Sequence, residues 1–204
     1  MPSIAIANHA ERNVIRLELR HNVVLREMTD SEYRELEHHL VIVDCAKGEH
    51  LLHQGVHDME QYFVLDGVLK RVVTNAQGKE MILRFADVRD SETSYAAWRL
   101  NTPTPYSIVC VTKARVAKLP MPTWVEFIDR HTKFKAVFEV EVMRVMSEIM
   151  AHTITLHLLD APGRVHRFER KHPELYERLP KKELAAYLNL SAETLSRLKQ
   201  RGKI

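Results

Sequence analysis

Two groups of residues in this 204-residue chain have types and spacings that could do chemistry. The first is His50, His53 and His57 with Glu60, imidazoles and a carboxylate close enough together to suggest a metal-dependent enzyme. Such sites place two histidines on one strand face. His50 and His53, three residues apart, are expected on opposite faces. No nucleophile elbow, phosphate-binding glycine loop or dinucleotide fingerprint accompanies them, so the sequence assigns no catalytic and no metal-ligating residue. The second group is cationic. From Gly163 to Ile204 eleven Lys/Arg stand against five Glu, a net +6, whereas the preceding 162 residues carry nineteen against twenty-two, a net −3. A basic tail on a mildly acidic body implies a polyanionic partner.

The elements that must position these residues follow from periodicity. Short strand-like runs, "GEHLLHQG", "QYFVLDG", "VLKRVVT", "MILRF" and "YSIVCVTKARVAKL", are separated by glycine turns and "NAQGKE". They predict an antiparallel barrel over about residues 40–119. The chain before it, including residues 29–40, reads as helical, with Thr29 or Asp30 as N-cap. From Pro122 the period becomes 3.6. After a short helix ending near His131, residues 133–160 contain neither Gly nor Pro until Pro162–Gly163. Met143, Met146, Met150, Ile154 and His157 form a stripe on this helix, flanked by Val140 and Ile149. A helix of that length, roughly 40 Å, exceeds what one small barrel covers, so it is read as a dimer seam as well as a barrel cover.

"GRVHRFERKHPEL" predicts one further helix, stopping near Pro173. Then "KKELAAYL", a tight "NLS" turn and "AETLSRLKQ" form a helix pair. Leu184, Ala185, Leu188, Leu195 and Leu198 are expected inward, and Ser191 caps the second helix. Two short helices with a basic second member describe a helix-turn-helix that binds double-stranded DNA. The fold class expected is α+β: a jelly-roll-type antiparallel barrel, a long helix and a small all-α unit. The expected divisions are 1–132, 133–160 and 161–204. Two cysteines, Cys45 and Cys110, are too few for a disulfide scaffold or a cluster within one chain. Met1–Arg20 lacks a leader-like apolar run, and no run is long enough to span a membrane, so the expected location is cytoplasmic.

In this order, "GEHLLHQG", "YFVLDGVLKRV", "GKEMILRF", "LLDAPGRV" and "LPKKELAAYLNLSAETLSRLK" resemble the Crp/Fnr family of bacterial transcription regulators. The resemblance implies a cyclic-nucleotide-binding-type sensor barrel, a dimerisation helix and a DNA-reading helix-turn-helix. It also implies a homodimer on a palindrome, with RNA polymerase as a further partner. Glu193, Ser196 and Arg197 would then read bases, with Thr194 near the helix start. Arg pairs with guanine and Glu with cytosine. The E-x-x-S-R pattern is similar to the Fnr branch, whose half-sites resemble TTGA, and Ala192 replaces an additional base-reading Arg of the cyclic-AMP receptor branch. Ser191, Lys181, Lys182, Lys199, Arg201 and Lys203 are expected at phosphates. The chain stops at Ile204, and on this reading no β-wing follows the second helix.

The effector is not legible. In "RFADVRDSETSYAAWRLNTPTPYSIVCV" no Gly precedes Glu92, and Tyr106–Ser107 stand where the family's nucleotide binders have Arg–Ser or Arg–Thr. Ile149 and Met150 fall about where the cyclic-AMP receptor branch places hydroxyl residues. Glu92, Tyr106, Ser107, Arg84 and Met150 are the pocket candidates, with Arg89 and Arg99 as alternative cations. Each missing charge-assisted bond costs about 1.5–3 kcal/mol, which argues against cyclic AMP. A different nucleotide, or haem through His152 or His157, is a lesser alternative. A cupin-like barrel enzyme built on the His50 group is the rival from another class.

Overall fold

The computed structural model describes residues 3–202 and 204, and Lys203 lies outside the described residues. Strand residues here alternate between two apolar environments rather than between core and water. In β4 (Glu60–Asp66), Phe63 and Leu65 join one buried cluster while Tyr62 and Val64 join another. Ala117 and Leu119 alternate in the same way with Ala114 and Val116 in β9 (Ala114–Pro120). Period-two alternation with both faces apolar places a sheet inside the molecule.

The other strands are β1 (Ser3–Ala5), β2 (Val41–Cys45), β3 (His50–Leu52), β5 (Leu69–Thr74), β6 (Glu80–Ala86), β7 (Ser91–Thr93) and β8 (Ser107–Cys110). They form two antiparallel sheets, ordered β1-β2-β9-β4-β7 and β3-β8-β5-β6. This is the expected α+β architecture with a jelly-roll-type barrel. β1, too short to show a pattern, was not expected; pairing of Ile4 with Ile42 adds it to the edge. Gly67 turns β4 into β5 at φ +84°, where a Cβ would lie 2.3 Å from the Lys113 carbonyl oxygen. Only glycine lets these two turns approach so closely.

Helices α1 (Arg12–Arg20), α2 (Asp30–Glu37) and α4 (Met121–Arg130) cover the outer face of the first sheet. Thr29 caps α2 in a reciprocal capping box with Glu32. A short α3 (Tyr95–Arg99) follows β7. Helix α5 (Thr132–Leu158) packs Phe134, Phe138 and Val145 inward, with Phe138 against Trp124 and Tyr95. Each such buried side chain contributes about 1.5–3 kcal/mol.

Beyond Asp160, which caps it by accepting from the Gly163 amide, runs α6 (Ala161–Lys171). It stops near Pro173 as expected, and a further short helix that was not expected, α7 (Pro173–Arg178), opens with Pro173 at its first position. Proline ends one helix by lacking an amide donor and starts the next without penalty. Then come α8 (Lys181–Tyr187) and α9 (Ala192–Gln200). Val165, Phe168, Leu184 and Leu195 share a core with Val72, Ile82, Phe85 and Val109 of the second sheet. The C-terminal helices therefore cover the barrel's other flank.

Candidate nucleic-acid interface and effector pocket

Local chemistry sets the α8–α9 turn. Asn189 takes φ +53°, and the Leu190 amide donates back to Ala185 at 2.9 Å, a left-handed helix stop in which asparagine is tolerated. The Ser191 hydroxyl then accepts from the Thr194 amide at 3.1 Å. Leu184, Ala185, Leu188 and Leu195 are buried, and Leu198 is half-buried. Packing that side inward leaves Glu193, Ser196 and Arg197 exposed together on the opposite face. Thr194 is less open, its hydroxyl bonded to Ser191. The Glu193 backbone amide and Ser191 hydroxyl hold the Glu193 carboxyl below its ordinary range. Lys181, Lys182, Ser191, Lys199 and Arg201 are exposed around this face.

The barrel interior is different. Glu92, only 1% exposed, accepts from Arg71 Nε at 3.0 Å and Nη2 at 2.7 Å, and Arg84 Nη1 lies 2.8 Å from its other oxygen. Burial opposes the Arg71 charge, and Glu92 more than offsets it. The Arg71 guanidinium also lies 4.2 Å from the centroid of the Tyr106 ring, whose hydroxyl donates to the Thr93 carbonyl at 2.7 Å. Arg84 Nη2 reaches Asp90 at 3.2 Å. What remains open beside these side chains and α5 is about 20 Å³.

Of the expected pocket residues, the structure thus brings together Glu92, Arg84 and Tyr106. Ser107 is spent on the Gln54 amide, which donates to its hydroxyl at 2.9 Å. Met150 is corrected: it is 66% exposed on the opposite side of α5, because one residue along a helix turns the side chain by about 100°. Arg89 and Arg99 are exposed. Arg71 was missed. "VLKRVVT" reads as charged residues turned to solvent, yet adjacent Lys70 and Arg71 lie on opposite faces of β5 and both are buried.

His50 and His53 do not face opposite sides; their rings stack at 4.5 Å and 5°. β3 ends at Leu52 with an irregular register, so alternation fails before His53. Glu60 is turned away to the Tyr62 hydroxyl and Lys118. Among the described residues no three such groups converge to hold a metal. Cys45 and Cys110 are buried, and the hydrogen bond between their thiols holds the first below and pushes the second above the ordinary thiol range. His152 Nε2 contacts the Tyr187 carbonyl oxygen at 3.1 Å and its ring stacks on Tyr187 at 3.7 Å, while His157 is exposed. No described helix is long and apolar enough to cross a membrane.

Residues 42–131 match the family model of the cyclic nucleotide-binding domain. No curated protein matches the sequence. Similar solved structures include FixK2 from Bradyrhizobium japonicum, at 16% identity over 80% of this chain and 86% of that one, with TM-score 0.67. Another is CLP, the c-di-GMP-responsive global regulator of Xanthomonas campestris, at 14% identity over 85% and 92%, with TM-score 0.70. A third is described as a regulator of the Crp/Fnr family from Eubacterium rectale, at 13% identity over 89% and 87%, also with TM-score 0.70. This chain has the Crp/Fnr fold. The matched model is that of a cyclic nucleotide-binding domain, and the residues present in the barrel do not fit such a ligand. The barrel's carboxylate is closed by two arginines of the same chain, and 20 Å³ is far below the roughly 300 Å³ at which ligand pockets begin.

Proposed function

We propose that this Crp/Fnr-fold protein is a homodimeric, sequence-specific DNA-binding transcription regulator whose effector is not cyclic AMP. Residues 1–132 are its sensor unit, 133–160 its dimer helix and 161–204 its DNA-binding unit. One observation carries the reading: α9 buries Leu195 while presenting Glu193, Ser196 and Arg197 together to solvent. Such a face reads base edges in a major groove, here a TTGA-like half-site, and the surrounding lysines meet phosphates.

The dimer helix is supported by Met143, Met146, Met150 and Ile154, which are 49–66% exposed along α5. A contiguous apolar stripe of this kind is a partner surface. Two copies joined there carry two recognition helices to successive major grooves of a palindrome.

Selection of the ligand-free protein on a randomised DNA pool at fixed salt tests the reading. Enrichment of a TTGA-type palindrome is expected. Sequence-blind, salt-sensitive binding alone would overturn the assignment of Glu193, Ser196 and Arg197.

A further inference from the structure

A cavity of about 450 Å³ lies where β6, the middle of α5 and helices α6–α8 meet. That volume falls within the roughly 300–1,000 Å³ of small-molecule sites, and no residue of the small barrel pocket other than Arg84 lines it. One wall is apolar, formed by Phe168, Tyr187 and Ile149. Facing it are cations from three elements: Arg84 of β6, Arg144 of α5, and Arg164, Arg167 and Lys171 along one face of α6.

Their partners separate the structural charges from the available ones. Arg144 is held by Glu141 and Glu148, and Arg84 by Glu92 and Asp90. Among the lining carboxylates Asp87 is taken by Arg178. Arg164 donates to the carbonyls of Leu156, Leu159 and Leu188, a set that ties the end of α5 to the α8–α9 turn without cancelling its charge. Arg167 has no ion pair among the described residues, and Lys171 has only a long 3.7 Å contact with Glu148. Three cations at i, i+3 and i+7 thus face one space in which Asp87, Asp90 and Glu148 are already engaged by other arginines, and Glu174 is the one lining carboxylate with no ion pair among the described residues. His152, pushed down to about 4 by burial, is neutral there at physiological pH.

We propose that this junction cavity binds a small organic phosphate, its oxyanion taken by Arg167 and Lys171 and its organic body laid against the apolar wall of Ile149 and Phe168. Convergent cations suit a phosphate dianion better than a single carboxylate. The α5 residues that line the cavity lie on average roughly 150° around the helix from the Met143–Met146–Met150–Ile154 stripe. The site therefore leaves the stripe free while touching barrel, long helix and DNA-binding unit at once. Resting on the proposed DNA-binding function, an occupant there would shift the balance between placements of the two recognition helices.

Calorimetric titration of the full chain with adenosine 5′-monophosphate tests the site. This probe joins a phosphate dianion to a flat ring, with adenosine and inorganic phosphate as controls. The monophosphate should bind more tightly than either control, and the exposed double substitution Arg167→Glu with Lys171→Glu should weaken it by roughly 10- to 150-fold, as lost charge-assisted bonds imply. Equal binding of adenosine, equal binding of inorganic phosphate, no binding at all, or no loss in a double variant of unchanged circular dichroism would each overturn the proposal. Because these heats require no DNA, charge-dependent binding without operator selection would sink the DNA-binding reading and leave the site. Operator selection without such binding would do the reverse.

Discussion

The barrel interior and the junction beneath the helix-turn-helix both gather arginines around an apolar wall, and they use them in opposite ways. Inside the barrel Arg71 and Arg84 close on Glu92, and about 20 Å³ stays open. At the junction Arg164 and Arg167 have no carboxylate partner among the described residues, and about 450 Å³ stays open. Buried charges with internal partners make a structural plug, while charges whose partners are only carbonyls or solvent keep electrostatic work to offer. The charges inside the barrel are thus paired with one another, and those at the adjoining junction are less so.

The sharpest way to break this contrast is at Glu92. Glu92→Gln leaves two buried guanidiniums around a neutral amide and should cost about 3–5 kcal/mol of stability by urea unfolding. Replacing Arg71, Glu92 and Arg84 together with apolar residues of similar volume should cost much less, since the penalty comes from the orphaned charges. A small effect of Glu92→Gln alone would show that water reaches the arginines and that the barrel opens.

Arg197→Ala should remove about 1–3 kcal/mol of discrimination at one guanine per half-site and leave the fold unchanged. Lys199→Ala should weaken all sequences alike and reduce the salt slope by about 1. Quantitative binding to operators varied one base at a time separates them; equal, sequence-independent losses would sink the division of roles. This part of the molecule was legible in the sequence because it is local. The Ser191 cap, the apolar spacing of Leu184, Leu188 and Leu195, and the exposed face of α9 all depend on neighbours within a few residues. Arg71 was not legible, because its partner Glu92 lies 21 residues away on another sheet, and a charged residue on a strand looks the same whether solvated or paired inside. The stacked His50 and His53 were hidden by a strand that ends one residue early.

A smaller effect is expected where the two regions join. Lys70 Nζ of β5 reaches Glu183 of α8 at 2.9 Å, with the two side chains 10% and 20% exposed. Lys70→Met and Glu183→Gln should each cost about 1–2 kcal/mol, and their double-mutant cycle should show coupling of about 1 kcal/mol. Additive losses would mean that the helix-turn-helix does not rest on its own barrel in solution.

The smallest effect is a pH dependence at the junction that the barrel plug does not share. Burial, together with Lys171, Arg164 and Arg167, disfavours protonated His152, against the Tyr187 carbonyl, and holds its pKa at about 4. His172 is lowered in the same direction, by burial first and Lys171 second. The unfolded chain protonates His152 as pH falls through about 6.5, while the folded chain does not until about 4. Junction stability is therefore complete above 6.5 and declines between 6.5 and 4, by about 1 kcal/mol for His152 once its partial exposure is allowed for. His152→Phe keeps the stack on Tyr187 and removes the titration, so the difference in unfolding free energy between it and the unsubstituted chain should change across that window. A constant difference would place His152 in water, and with it the wall against which the junction holds its ligand.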